Sequence, residues 1–350
     1  MGPDSNKRLR KMAVTLKDIS IEAGVDIATV SRALNGSYGV HKDTRERVLK
    51  IAKRLNYRVN LMAKGLAEGR SRTIGVLVAA ISDPSILEQI RGVEDAAYAA
   101  GYQIVLCNSY LDVKRETLQL HSLLEKRVEG ILIHSVEALN KAEITELVES
   151  EIPVVLFHQI PGTSNFSSVC MNQFEGGFLA GKHLVDLGHR RIAFLSGPRG
   201  HGNFTQRIKG FTKAIKSSGN DISAIIMYGQ PDFEGGYKMA TEMLKKHPGV
   251  TAAFAANDMT AFGISQAVFE AGLSIPEDIS LVGFGNTELT KVVRPPLTTI
   301  HHPKYEMGQA AVEILLGLAQ NEHLGVPEHR EFGIRLVERS STAPPSKLRP

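Results

Sequence analysis

The 350-residue sequence predicts two fold classes in one chain: an N-terminal all-α headpiece with a helix-turn-helix layout, and an α/β body of two lobes built on parallel sheets. Three observations predict this. Residues 1–72 hold 16 Lys and Arg against 7 Asp and Glu, whereas the remainder holds 25 against 30, so a basic module precedes a mildly acidic body. The stretch GVDIATVSRALNG, Gly24 to Gly36, sets a glycine turn directly before a capped, apolar-patterned segment. From Thr73 onward, short apolar runs alternate with segments of helical spacing.

In the basic module, Thr15 is a good N-cap, with Asp18 three residues on. Leu16, Ile19, Ser20 and Ala23 then recur at helical spacing for about two turns. Gly24 ends that helix, and the apolar Val25 can pin the turn to the core. Asp26 caps a second helix, IATVSRAL, with Ala28, Val30, Ala33 and Leu34 available to the inside. HKDTRERVLKIAKRLNY follows, its apolar stripe made by Val48, Ile51, Ala52 and Leu55 and its other face rich in Arg and Lys. In this layout the second helix enters the DNA major groove. Ile27 and Ala28 are then placed for base edges or thymine methyls, and Thr29 and Ser31 for phosphate. Arg32 is long enough to meet guanine O6 and N7 bidentately.

The body opens with the apolar strand TIGVLVAAI. The helical SILEQIRGVEDAAYAAG, the strand YQIVLCNS, the helix VKRETLQLHSLLEKR and the strand VEGILIHS follow, then the helix KAEITELVESE and the strand IPVVLFHQ. The alternation restarts near Asn172 and runs to ISLVGFG, and Ile300 to Gly317 supplies a further helix. Strands and helices joined by short connections indicate parallel layering. Two such lobes in series imply a cleft, with any ligand beyond the carboxyl ends of the strands.

Several function classes find no support in the sequence. There is no GxxxxGK[ST], no GxSxG and no GxGxxG after a strand; GFGNTE has Glu288 at the third glycine position. No CxxC or His/Cys cluster suggests a metal, and no cofactor is expected. Cys107 and Cys170, each flanked by apolar residues, read as buried thiols of a reducing cytoplasm. No apolar run reaches the roughly 20 residues of a membrane helix. The polar, basic start has no leader character, so a cytoplasmic location is expected. A solute-binding protein would share the lobes but would carry a leader and no helix-turn-helix. A purely architectural DNA-binding protein has no need of a two-lobed cleft. A solute-binding protein or sugar-processing enzyme with an appended DNA-binding headpiece is the alternative.

The segment VTLKDISIEAGVDIATVSRALNG closely resembles, without gaps, the DNA-binding segment of the lactose-repressor family of bacterial transcription regulators. The resemblance continues through NYRVNLMAKGLAEGRSRTIGVLV, EGGFLAGKHLVDLGHRRIAFLSGP, AFAANDMTAFGISQA, GLSIPEDISLVGFGN and PPLTTIHHP. It implies a headpiece, a hinge helix and a periplasmic-binding-protein-like effector domain. It also implies a homodimer on a near-palindromic double-stranded operator, most often as a repressor. The DNA-facing residues it implies are Thr15, Ile27, Ala28, Thr29, Ser31, Arg32 and Asn35, with Asn60, Ala63 and Leu66 on a hinge helix whose leucine wedges the minor groove. Gly65 stands where the family often has Ser and costs such a helix about 1 kcal/mol relative to Ala.

For the cleft, the resemblance implies Arg207 and Asn257 as effector contacts, with Asp258 read as the cap of the following helix. Other positions depart. Asp83 to Ile86, DPSI, lacks the family's stacking aromatic, so Ser85 and Ile86 stand at that site. Gly285 and His158 stand where carboxylates are usual. Two carboxylates fewer with an arginine kept makes the cleft more positive. That points to an anionic effector, a sugar acid or sugar phosphate, with His302 or His201 assisting. The expected boundaries are 14–59 for the headpiece, 60–72 for the hinge and 73–340 for the body. Lobe one takes about 73–172 with 300–330, and lobe two about 173–299 with 331–340. Residues 1–13 and 341–350 are read as flexible ends, and STAPPSKLRP, with no heptad, adds no tetramer contact.

Overall fold

The computed structural model describes residues 14–58, 70–134, 141–158, 163–200, 202–218, 221–320 and 326–346. The chain divides into two compact units, Met1–Ser71 and Arg72–Pro350. The expected hinge residues Asn60, Ala63 and Leu66, the end 1–13 and His201 lie outside the described residues.

Three helices build the first unit: α1 (Leu16–Ala23), α2 (Ile27–Leu34) and α3 (Lys42–Arg54). Thr15 and Asp18 form a reciprocal capping box, the Asp18 carboxylate accepting from Thr15 N at 2.7 Å. Gly24 ends α1 at φ 63°, a left-handed conformation glycine adopts at no steric cost. Asp26 caps α2 by accepting from Thr29 N at 2.7 Å. Replacing such a cap by Ala costs about 0.5–2 kcal/mol. Ile19, Ala23, Val30, Ala33, Val48 and Ala52 form one small core, with Val25, Leu34, Ile51 and Leu55 around it. Ala28, expected to be available to the inside, is exposed instead, because it lies on the outer face of α2.

The second unit holds two six-stranded sheets. The first comprises β1 (Thr73–Val78), β2 (Gln103–Asn108), β3 (Gly130–His134), β4 (Val154–Leu156), β5 (Ser167–Met171) and β11 (His329–Phe332), in the order β11-β5-β4-β3-β1-β2. The second comprises β6 (Arg191–Ser196), β7 (Ser223–Tyr228), β8 (Ala252–Ala255), β9 (Ser280–Gly285), β10 (Thr298–His301) and β12 (Arg335–Val337), in the order β12-β10-β9-β8-β6-β7. All these pairings are parallel except β10 with β12. The central strands are apolar on both faces because helices cover both. Lobe one carries α4 (Pro84–Ala99), α5 (Val113–Glu125), α6 (Lys141–Glu149) and α12 (Lys304–Ala319). Lobe two carries α7 (Gln173–Asp186), α8 (Gly202–Ser217), α9 (Phe233–Lys246), α10 (Asp258–Glu270) and α11 (Leu289–Val292).

The pairings move the lobe boundaries slightly from the expected ones. Ile300 and His301 pair with β9 and belong to lobe two, whereas Glu331 and Phe332 pair with β5 and belong to lobe one. The tail departs further. Residues 341–343, read as part of a flexible end, are bound to lobe two. Ser341 is buried, accepts from Thr298 N at 2.8 Å and donates to Leu281 O at 2.6 Å. Ala343 O lies 2.9 Å from both His189 Nε2 and Ser280 Oγ. Backbone groups at a sheet's rim need partners, and this segment supplies them.

Candidate functional site

On the first unit, Ile27, Ser31 and Asn35 follow one another at i, i+4 and i+8 along α2, with Ala28 and Arg32 beside them. Ile27, Ala28, Arg32 and Asn35 are exposed and Ser31 is half-buried, so they form one outward stripe. Thr15 is exposed at the start of α1. Thr29 is more constrained: its hydroxyl lies 2.9 Å from the Asp26 carboxylate. Arg32 folds back to Thr29 Oγ1 at 3.3 Å and Ala28 O at 3.4 Å, both long and on the surface. Nothing in those contacts holds it strongly. Sequence reasoning passed over Tyr38, whose side chain stands fully exposed in the loop after α2.

The second unit encloses a cavity of about 510 Å³ between its lobes. The carboxyl ends of strands from both sheets wall it. His134 ends β3, Phe157 and His158 follow β4, and Gln173 follows β5. From lobe two come Arg207, Asn257 and Phe284, and His302 follows β10. Ser85 and Ile86 line it from the start of α4. So the cavity collects Ser85, Ile86, His158, Arg207 and Asn257, as the sequence suggested. It does not collect Gly285. That residue sits at φ 137°, its carbonyl accepting from the buried Lys304 ammonium. An added Cβ there would lie 2.5 Å from Ser85 Oγ, so the two lobes meet closely at this expected effector contact.

Arg207 is the buried cation of the cavity. Its Nε donates to Gln173 at 2.6 Å and its Nη1 to Ala256 O. Its guanidinium stacks on Phe284. Burial lowers its pKa to about 9, against the opposing pull of Asp83 and Asp258. Among the described residues Nη2 makes no hydrogen bond, which leaves a donor for a ligand. The residue is placed by close helix packing. Gly177 of α7 lies against the Arg207 carbonyl and Gly210 of α8 against the Phe174 carbonyl, where any Cβ would overlap.

Asp258 does not cap α10. Asn257 does, accepting from Thr260 N at 2.8 Å. Asp258 is the first helical residue and is buried, accepting from Thr287 N at 2.9 Å and Thr299 Oγ1 at 2.7 Å. Burial raises its pKa, and these bonds oppose the rise. The imidazoles of His134 and His302 are held towards neutrality. Burial lowers the pKa of His134, and that of His302 well below the usual value, with Lys304 adding repulsion. Among the described residues the cavity is therefore lined by one arginine and by the carboxylates of Asp83, Asp232 and Glu234, with the imidazoles of His134 and His302 favouring the neutral form. These carboxylates, which were not counted from the sequence, offset the expected surplus of positive charge.

Other lining residues were missed too: Phe157, Phe204, Phe284, Met171, Met259 and Met307. Phe233 also lines the cavity. Two of these, Phe157 and Met171, carried a readable signal, since they stand at or just after the last residue of an apolar strand. Among the described residues no group of three or more His, Cys, Asp or Glu is placed to hold a metal ion. Among them no helix is long and apolar enough to cross a membrane.

Two family models match the chain. Residues 15–60 match "Bacterial regulatory proteins, lacI family", and residues 182–342 match "Periplasmic binding protein-like domain". Catabolite control protein A of Priestia megaterium is 36% identical over 306 residues, 87% of this chain and 92% of that protein. Among solved structures, the Lac repressor dimer bound to operator and the anti-inducer ONPF is similar with a TM-score of 0.83 and 30% identity, over 95% of this chain and 99% of that one. A LacI-family transcriptional regulator from Enterococcus faecium with bound ribose gives 0.71 and 34%, over 78% of this chain and 100% of that one.

Proposed function

The chain belongs to the lacI family of bacterial regulatory proteins, and on that premise we propose that it represses transcription as a homodimer whose hold on operator DNA is set by an uncharged, carbohydrate-derived effector. The headpiece reads DNA through the outward stripe of α2, from Ile27 to Asn35. One headpiece makes few base contacts, so two related by a twofold axis read a near-palindromic site. The hinge Asn60, Ala63 and Leu66 then serves the minor groove. The work is done in the cytoplasm, where the DNA is.

One observation carries the effector reading: the 510 Å³ cavity sets Arg207 among the carboxylates of Asp83, Asp232 and Glu234 and lines it with the imidazoles of His134 and His302, held towards neutrality, and with phenylalanine rings. A neutral imidazole both donates and accepts, as a sugar hydroxyl does. The rings suit the apolar face of a sugar. An added anion would face Asp83 and compete with carboxylates already there. The similar regulator with bound ribose supports this class of ligand.

A thermal-shift comparison tests it, using ribose and glucose against ribose 5-phosphate and gluconate. A ligand at about 100 times its dissociation constant adds about 2.7 kcal/mol. A neutral sugar is expected to raise the melting temperature and its acid or phosphate to do so less. Stronger stabilisation by the anions would restore the anionic reading.

A further inference from the structure

Asp83 and Asn257 are both helix N-caps, one from each lobe, and they are joined directly. The Asp83 carboxylate accepts from Ser85 N at 2.8 Å through Oδ1 and from Asn257 Nδ2 at 2.9 Å through Oδ2. The Asn257 amide is fully used. Its Oδ1 accepts from Thr260 N and Thr260 Oγ1, each at 2.8 Å, and its Nδ2 also donates to Pro231 O at 2.8 Å. Because Oδ1 must face Thr260 N, the amide cannot flip, and Nδ2 stays aimed at lobe one. Two further close approaches lie along the same first turns of α4. Ser85 Oγ stands where a Cβ on Gly285 would come within 2.5 Å of it, and Glu88 lies 3.2 Å from the Lys304 ammonium that holds the Gly285 carbonyl. Asp83, Ser85 and Glu88 thus line one seam, and Asp83, Ser85 and Asn257 also line the cavity.

We propose that Asp83 and Asn257 are the positioning residues that latch the two lobes together across the rim of the cavity, fixing the lobe geometry before any effector binds. The proposal concerns regulation of the site described above and rests on its reading as an effector cavity. A charge-assisted bond between two rigid caps holds its partners at a fixed spacing. A ligand that reaches Asp83 draws on the same carboxylate, so occupancy and lobe spacing are coupled through one side chain. The latch itself forms without any effector, since both its partners belong to the chain.

The test uses the full chain with no sugar added, so its outcome does not depend on which effector is correct. Spin labels go on Lys114→Cys of α5 and Lys238→Cys of α9, both exposed and on different lobes. Cys107 and Cys170 are buried. Labelled chain is diluted with unlabelled chain so that distances within one chain are read. Asp83→Asn keeps an acceptor for Ser85 N but turns an amide donor towards the Asn257 donor. Asp83→Ser keeps a capping oxygen and is too short to reach Asn257. Both variants preserve the start of α4, so a change reports the latch and not the helix. The inter-label distance is expected to shift to longer values and broaden in both. A distribution unchanged from the parent in either variant overturns the proposal.

Discussion

The Arg207 guanidinium carbon stands 3.5 Å from the centre of the Phe284 ring, a cation laid on an aromatic face inside the cavity. Buried cation–π contacts of this kind contribute about 2 kcal/mol. Phe284 comes from β9 and Arg207 from α8, so the contact ties a strand end to a helix whose position depends on two glycines. The guanidinium is presented with two of its nitrogens already held and, among the described residues, the third without a hydrogen bond.

Arg207→Ala should weaken effector binding by roughly 10- to 100-fold, the loss of a charged hydrogen bond worth about 1.5–3 kcal/mol. Operator binding without effector should be nearly intact, because Arg207 belongs to the second unit and α2 to the first. Calorimetry with the sugar that gives the largest thermal shift measures the first, and fluorescence anisotropy on operator DNA the second. Loss of operator binding alone would remove Arg207 from the effector site.

Gly177→Ala should destabilise the protein by about 1–3 kcal/mol, the usual cost of forcing atoms into a packed interface. The new Cβ would overlap the Arg207 carbonyl, and backbone cannot rotate away as a side chain tip can. Urea unfolding should show a lower midpoint, and effector affinity should fall with it as Arg207 moves. A midpoint equal to the parent would mean that α7 and α8 tolerate a wider spacing.

Arg32→Ala should cost roughly 1–3 kcal/mol on operator and relax preference at one base pair per half-site. Arg32 lies one turn into α2, exposed and lightly held. Affinities measured on operator and on random DNA at one salt concentration decide the point. Equal losses on both would make it a phosphate contact.

Stability should fall as the solution is made acidic, through His134 and His302. Burial holds both folded-state values below the usual 6.5, so the folded state binds fewer protons than the unfolded chain. Their contribution is fully present above pH 6.5 and is lost as pH falls through the lowered folded values. Melting temperatures taken across this range should show a shallower decline for His302→Gln than for the parent. Parallel declines would place the acid sensitivity elsewhere.

Much of this was legible in the residues alone, and the reason is locality. Thr15 with Asp18, Gly24 and Asp26 act on groups within three or four positions, so caps and turn could be read directly. Alternating apolar runs gave the parallel lobes because strands buried on both faces must be apolar throughout. The sequence also set the charge split that marks the headpiece as the DNA-binding part. What it could not determine were relations between distant positions. Asp83 and Asn257 are 174 residues apart, and only folding brings them to 2.9 Å. Asp258 looked like a cap because position permits it, but Asn257 fills that role and Asp258 turns to Thr287 and Thr299 instead. The cavity's charge was misjudged in the same way. Counting carboxylates at aligned positions finds those that are missing, while Asp83 and Asp258 act on Arg207 through space. Electrostatic balance is set by distance and burial, which a linear sequence does not contain.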